Sequence, residues 1–201
     1  MKNDTFHTVA KPTEEILFKE KGSKFYGIAF PVQTDEQIKQ CLEEVKSNHH
    51  AARHWCYAWQ LGAKNVKYRV NDDGEPRNTA GIPIYGQIQS FNITNVLIVV
   101  VRYFGGVKLG VGGLIKAYKT AAKLTLEDAL IVEQTIKVTY TLNFDYSIIN
   151  KVMRVIKENN LQIIEQKSDL KCKLVIQVRE NKCAEIENLF TSIYGVEISK
   201  K

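Results

Sequence analysis

The sequence predicts an α+β chain of two domains, and three observations carry that prediction. Segments of two-residue alternation, with Trp55, Tyr57, Trp59 and Leu61 set against His54, Cys56, Ala58 and Gln60, lie beside segments with apolar residues at i, i+3, i+4 and i+7. Beyond Thr135 the pattern reads strand, helix, strand, strand, helix, strand, which is the ferredoxin-like split βαβ order. With 201 residues, 44% of them hydrophobic, the chain can bury one large core or two small ones without disulfide staples.

Each element has its own local justification. Glu14 to Glu20 and Ser23 to Val32 flank Lys21-Gly22 as a β-hairpin. Thr34-Asp35-Glu36-Gln37 is a capping-box pattern, opening a helix whose Ile38, Cys41, Leu42 and Val45 share one face. His54 to Leu61 is a strand, connected through Gly62-Ala63-Lys64 to a second from Val66 to Val70. Asn71 to Gly81 is polar and turn-rich, hence a loop, and Pro83 suits the first turn of a short helix to about Ser90. Val96 to Tyr103 has the branched residues of a buried strand. The helix from Leu114 to Ala129 covers Leu114, Tyr118, Ala121, Ala122 and Thr125 and turns Lys116, Lys119, Thr120, Lys123 and Glu127 outward. Composition changes after Leu130, which divides the chain into residues 1–130 and 131–201. In the second part strands span 136–144, 161–166, 171–178 and 196–198, with helices over 147–159 and 182–194.

Charge is unevenly spread. Between Pro76 and Leu126 there is no aspartate or glutamate in 51 residues, while Arg77, Arg102, Lys108, Lys116, Lys119 and Lys123 give that stretch +6, the formal net charge of the whole chain. A surplus of this kind favours polyanionic partners. Cys41, Cys56, Cys172 and Cys183 form no CxxC pair and read as free thiols in a reducing compartment. Met1-Lys2-Asn3-Asp4 has no apolar signal core, and the apolar run Val96 to Val101 is too short to span a bilayer. The expected location is the cytoplasm, with no membrane association.

Three constellations bear on chemistry. Arg102-Tyr103-Phe104-Gly105-Gly106-Val107-Lys108-Leu109-Gly110-Val111-Gly112-Gly113 holds five of the 12 glycines between a strand and a helix. Such a turn exposes N–H groups at the positive end of a helix dipole, which suits phosphate. It equally suits tight backbone packing. It matches neither the Walker pattern nor GxGxxG, so ATP hydrolysis and dinucleotide binding have no support. Asn71-Asp72-Asp73-Gly74-Glu75-Pro76 concentrates three carboxylates. These form either a Mg²⁺ site or a charged turn held by Asx hydrogen bonds, whose acids pair with Arg102 or Lys108. His49, His50, His54 and Cys56 lack the further ligands that would close a zinc site.

Taken together, Arg53-His54, Asp72-Asp73-Gly74-Glu75-Pro76, Thr79-Ala80-Gly81 and Val99 through Gly110 with Gly112-Gly113-Leu114 resemble the Impact N-terminal (YigZ) family in its bacterial two-domain form. The motifs cover about residues 15–130. Asn71 and Arg77-Asn78 depart from the family's usual serine and serine-glycine. The resemblance implies a ribosomal protein S5 domain 2-like first domain and a ferredoxin-like second, similar to domains IV and V of elongation factor G. It implies no catalytic residues and no cofactor. Eukaryotic relatives act on translation through a protein partner.

The expectation is a protein associated with RNA or the ribosome, acting on translation or its stress response without catalysis. Arg102, Lys108, Lys116, Lys119 and Lys123 would contact phosphates. Gly105, Gly106, Gly110, Gly112 and Gly113 would let the backbone approach, and Tyr103 or Phe104 would stack on a base. Arg53, His54, Asp72, Asp73, Glu75 and Thr79 form a polar loop of unassigned role. The alternatives are a metal-assisted enzyme on a phosphorylated substrate, using Asp72 to Glu75, and a protein-binding regulatory module.

Overall fold

The computed structural model describes residues 4–168 and 171–201, so Met1–Asn3, read above as lacking a signal core, lie outside the described residues. The fold is mixed α/β and divides into two units: Phe6–Gln134, and Thr135–Lys201 together with Asp4 and Thr5.

In the first unit, β1 (Thr5–Val9) precedes the hairpin β2 (Ile16–Glu20) and β3 (Ser23–Pro31), turned by Lys21 and Gly22 at φ 45° and 78°. Thr34 caps helix α1 (Asp35–Asn48) by accepting from the Gln37 N–H at 3.2 Å. The Gln37 side chain reaches back to the N–H of Gln33 rather than of Thr34. Strands β4 (His54–Leu61) and β5 (Lys67–Asn71), helix α2 (Gly81–Ser90), strand β6 (Val96–Tyr103) and helix α3 (Gly110–Asp128) follow, then β7 (Ile131–Thr135).

Five strands form a sheet in the order β2-β3-β6-β4-β5, with every neighbouring pair antiparallel. Central β6 is covered on both faces, which is why its sequence is continuously apolar instead of alternating. Val96, Ile98 and Val100 join α2 and α3 over one face; Leu97, Val99 and Val101 join α1 over the other. Each of these six side chains is fully buried, contributing roughly 1.5–3 kcal/mol.

Two local readings change. Helix α3 starts at Gly110, so Gly110, Gly112 and Gly113 form its first turn. Glycine's poor helix propensity hides that start, and packing of Leu114, Tyr118 and Ala121 overrides it. Residues 131–135, given no element by the sequence pattern, form a strand paired with β1.

The second unit runs β8 (Lys137–Asp145), α4 (Ile149–Glu158), β9 (Gln162–Ser168), β10 (Lys171–Arg179), α5 (Cys183–Thr191) and β11 (Val196–Lys200). Its sheet order is β11-β8-β10-β9. Tyr140, Leu142 and Phe144 of β8 and Cys172, Leu174 and Ile176 of β10 meet Val152 and Ile156 of α4 and Ile186 and Phe190 of α5. Asp4 accepts from Arg179 at 2.7 and 2.9 Å.

Candidate functional site

The family motifs converge at the C-terminal end of β6. Arg102 lies between Phe25 of β3 and His54 of β4, its side chain on the face covered by α2 and α3. It is 5% exposed. Its Nη1 donates to Glu75 Oε1 at 2.6 Å, its Nη2 lies 3.4 Å from Ser23 Oγ, and its guanidinium is 5.6 Å from the ring centroids of Phe25 and Phe104. Its charge is thus met internally by Glu75, and little of the side chain reaches the surface. Glu75 Oε1 also accepts from the Tyr118 hydroxyl at 2.8 Å. The Cys56 thiol sits 3.0 Å from the Asp72 carbonyl and 3.3 Å from the Tyr118 hydroxyl. Burial pushes both Cys56 and Tyr118 upward, so the thiol stays protonated and unreactive.

The acidic loop is fastened at every carboxylate. Asp72 Oδ1 accepts from the N–H groups of Ala80 and Gly81, each at 2.9 Å, and its Oδ2 from Asn78 at 2.8 Å. Those bonds secure the start of α2. Asp73 Oδ2 accepts from the Trp55 N–H at 2.8 Å, and the Asp73 carbonyl accepts from His54 Nδ1 at 2.9 Å. Asn71 Oδ1 accepts from the Asp73 N–H at 2.7 Å, an Asx turn. Thr79, 1% exposed, donates its hydroxyl to the Pro76 carbonyl. Asn78 takes φ 64°, a conformation that asparagine tolerates better than most residues. Among the described residues no three His, Cys, Asp or Glu side chains converge as metal ligands. Asp72, Asp73 and Glu75 act as a structural clamp. Arg53, beside them, is exposed.

The glycine turn meets the packing reading at particular positions. At Gly105 a Cβ would lie 1.9 Å from the Gly22 carbonyl carbon, so this residue is required by the approach of the β2–β3 turn. Gly106 and Gly110 have φ 87° and 73°. Gly112 has neither constraint, and its face of α3 opens to solvent. Lys108, Lys116, Lys119 and Lys123 are all exposed, as are the apolar Phe104, Val107 and Val111. Lys123 pairs with Glu127 at 3.3 Å, an exposed i,i+4 contact worth only about 0.3–0.5 kcal/mol. Lys119 and Lys123 face a shallow cleft shared with Pro83, Gln87 and Ser90 of α2.

On the α1 face of the same strand end lies a cavity of about 420 Å³, lined by Glu15, Gly22, Lys24, Tyr26, His49, Tyr103 and Phe104. His49 Nδ1 is 3.1 Å from the Tyr103 hydroxyl and Nε2 is 2.8 Å from Glu15 Oε1. Glu15 and Tyr26 escaped the sequence reading, and His49 entered it only as a member of an incomplete zinc set, because segments distant in sequence supply the three and no local pattern links them.

The Impact N-terminal domain model matches residues 21–126. IMPACT family member YvyE of Bacillus subtilis is 31% identical over 161 residues, spanning 80% of this chain and 74% of its own. IMPACT family member YigZ of Escherichia coli is 32% identical over 171 residues, 83% of each. A crystal structure of a hypothetical protein overlays with TM-score 0.76 at 28% identity, covering 97% of this chain and 96% of that one. With the family model matching more than half of the chain, and with these relatives spanning most of its length, the protein belongs to the Impact N-terminal domain family.

Proposed function

We propose that the protein binds RNA, free or on the ribosome, and acts in the regulation of translation or its stress response without catalysis. One observation carries this reading: folding buries Arg102 against Glu75 yet leaves Lys108, Lys116, Lys119 and Lys123 exposed beside the glycine turn. Several exposed cations near a glycine turn suit a phosphate chain more than a compact substrate. The fold reading that goes with it is ribosomal protein S5 domain 2-like for residues 1–130 and ferredoxin-like for 131–201. The order β11-β8-β10-β9, with two helices on one face, supports the latter. The cytoplasm is the matching location. Among the described residues no helix is long and apolar enough to cross a membrane. An enzyme working through Asp72 to Glu75 draws no support, since those carboxylates are committed to internal donors. A protein-docking reading is favoured by one feature, the exposure of Phe104, Val107 and Val111 next to the lysines.

The test is binding of an unstructured RNA oligonucleotide, followed by fluorescence anisotropy across a salt series. With about four phosphates neutralised, the log–log slope on a single strand is roughly −2.8, about a fiftyfold loss from 50 to 200 mM salt. Replacing Lys116, Lys119 and Lys123 with Glu is expected to abolish binding with little change in melting, because exposed substitutions shift stability by about 0.5 kcal/mol or less each. A flat salt response, or full affinity in the triple variant, removes the cationic face from the site. Sedimentation with ribosomes over the same salt range separates ribosome binding from free RNA binding.

A further inference from the structure

We infer that the cavity on the α1 face seats one unstacked nucleobase, guanine by preference. This deepens the RNA reading above by naming what the site recognises. The cavity's size falls within the range of about 300–1,000 Å³ usual for small-ligand sites. Three of its seven lining residues are aromatic: Tyr26, Tyr103 and Phe104, the last 54% exposed. Base-on-aromatic stacking tolerates any base, so discrimination must come from the polar groups.

Those groups are prearranged. Buried His49, 7% exposed, joins Glu15 to Tyr103. In a neutral imidazole one nitrogen donates and the other accepts. A carboxylate only accepts, so Nε2–H donates to Glu15 and Nδ1 accepts the Tyr103 hydroxyl proton. The aromatic contacts of His49 with Tyr26 and Tyr103, at centroid distances of 5.3 and 5.9 Å, fix the ring. His49 is thus a positioning residue that fixes Glu15, whose side chain is still 44% exposed toward the cavity. Lys24, register partner of Tyr103, brings a cation to the same wall. A carboxylate beside an ammonium complements an edge with two adjacent N–H donors followed by a carbonyl. Guanine presents that edge through N1–H, N2–H₂ and O6. Cytosine and adenine offer a single exocyclic donor, and uracil one ring N–H. Phe104 is four residues from Lys108, a reach of at most about 14 Å of chain, so a strand with its base in the cavity can run onto the lysines.

The test titrates GMP, AMP, CMP, UMP and ribose 5-phosphate into ¹⁵N-labelled protein and follows amide shifts by NMR. Saturable shifts at Gly22, Lys24, Tyr26 and Phe104 are expected with GMP, at affinity roughly tenfold or more above the other bases. Phe104→Ala is expected to weaken GMP about 5- to 150-fold, the range of one lost stacking partner, while leaving the salt slope of RNA binding unchanged. Glu15→Gln is expected to erase the preference for GMP. Ribose 5-phosphate binding as tightly as GMP, equal binding of all four bases, or an unaffected Phe104→Ala variant overturns the assignment. Salt-sensitive RNA binding without any GMP shift defeats this inference and leaves the RNA reading standing. GMP binding here without RNA binding does the reverse.

Discussion

Glu75→Gln is expected to lower the stability of the Phe6–Gln134 unit by about 3 kcal/mol, the lower end of what breaking a buried ion pair costs. The side chains of Arg102 and Glu75 are 6% and 4% exposed and 2.6 Å apart. Arg102 Nε already lacks a partner among the described residues, and Glu75 Oε1 serves two donors, Arg102 Nη1 and the Tyr118 hydroxyl. A carboxamide keeps one acceptor oxygen but removes the charge, leaving a guanidinium uncompensated between Phe25 and Phe104. Both tryptophans, Trp55 and Trp59, lie on β4 of this unit, so their fluorescence reports its unfolding in urea. With an m-value of about 2 kcal/mol/M, the midpoint falls by about 1.5 M. Replacing both partners, Glu75→Leu with Arg102→Met, is expected to recover much of the loss, because a well-packed apolar pair escapes the desolvation cost. A Glu75→Gln midpoint within about 0.3 M of the parent refutes a structural pair and returns these residues to the candidates for external chemistry.

Three further outcomes are expected of the same fold. Gly112→Ala and Gly86→Ala both add a methyl that meets nothing within 4 Å at negative φ, so each is expected to raise the free energy of unfolding by up to about 0.5–1 kcal/mol, read from urea denaturation. If Gly112 is kept for close backbone approach, its alanine variant also loses RNA affinity, which anisotropy measures. A maleimide pulse on the native protein, read by mass spectrometry, is expected to modify half-buried Cys183 and Cys41 while sparing buried Cys56 and Cys172 until the chain unfolds. Hydrogen bonding to Arg179 holds the Asp4 carboxyl below its ordinary value. The contribution of that pair is therefore complete above about pH 4 and lost as pH falls through the lowered pKa. Asp4→Asn should accordingly be less stable than the parent at neutral pH and converge with it in acid, as followed by NMR signals from residues 135–201.

What the sequence discloses and what it withholds divide along sequence separation. The alternation of β4 and the apolar face of α3 are local patterns, and the structure reproduces both, with Cys56 and Ala58 inward and Lys116, Lys119 and Lys123 outward. The strand β1 is short and pairs with a segment more than a hundred residues away, so no local periodicity announces either partner. Charge counting suffers most from this. Arg102 and Lys108 count equally as charges, yet the register beside Phe25 and His54 points Arg102 inward to Glu75, while the turn carries Lys108 out. The acid-free segment therefore overstates the cations available to a ligand. Moreover, the acid that neutralises one of them, Glu75, sits just before the segment, in the loop whose carboxylates suggested a metal. The cavity at Glu15, His49 and Tyr103 is the extreme case, because residues 34 and 54 positions apart become a hydrogen-bonded set only after α1 and β6 are packed on the same sheet. Such a set can be found by asking why a histidine at the end of an amphipathic helix is buried with both nitrogens engaged, a question that requires the fold. Its function is then decided by whether Glu15→Gln changes which base binds or only how well the protein folds.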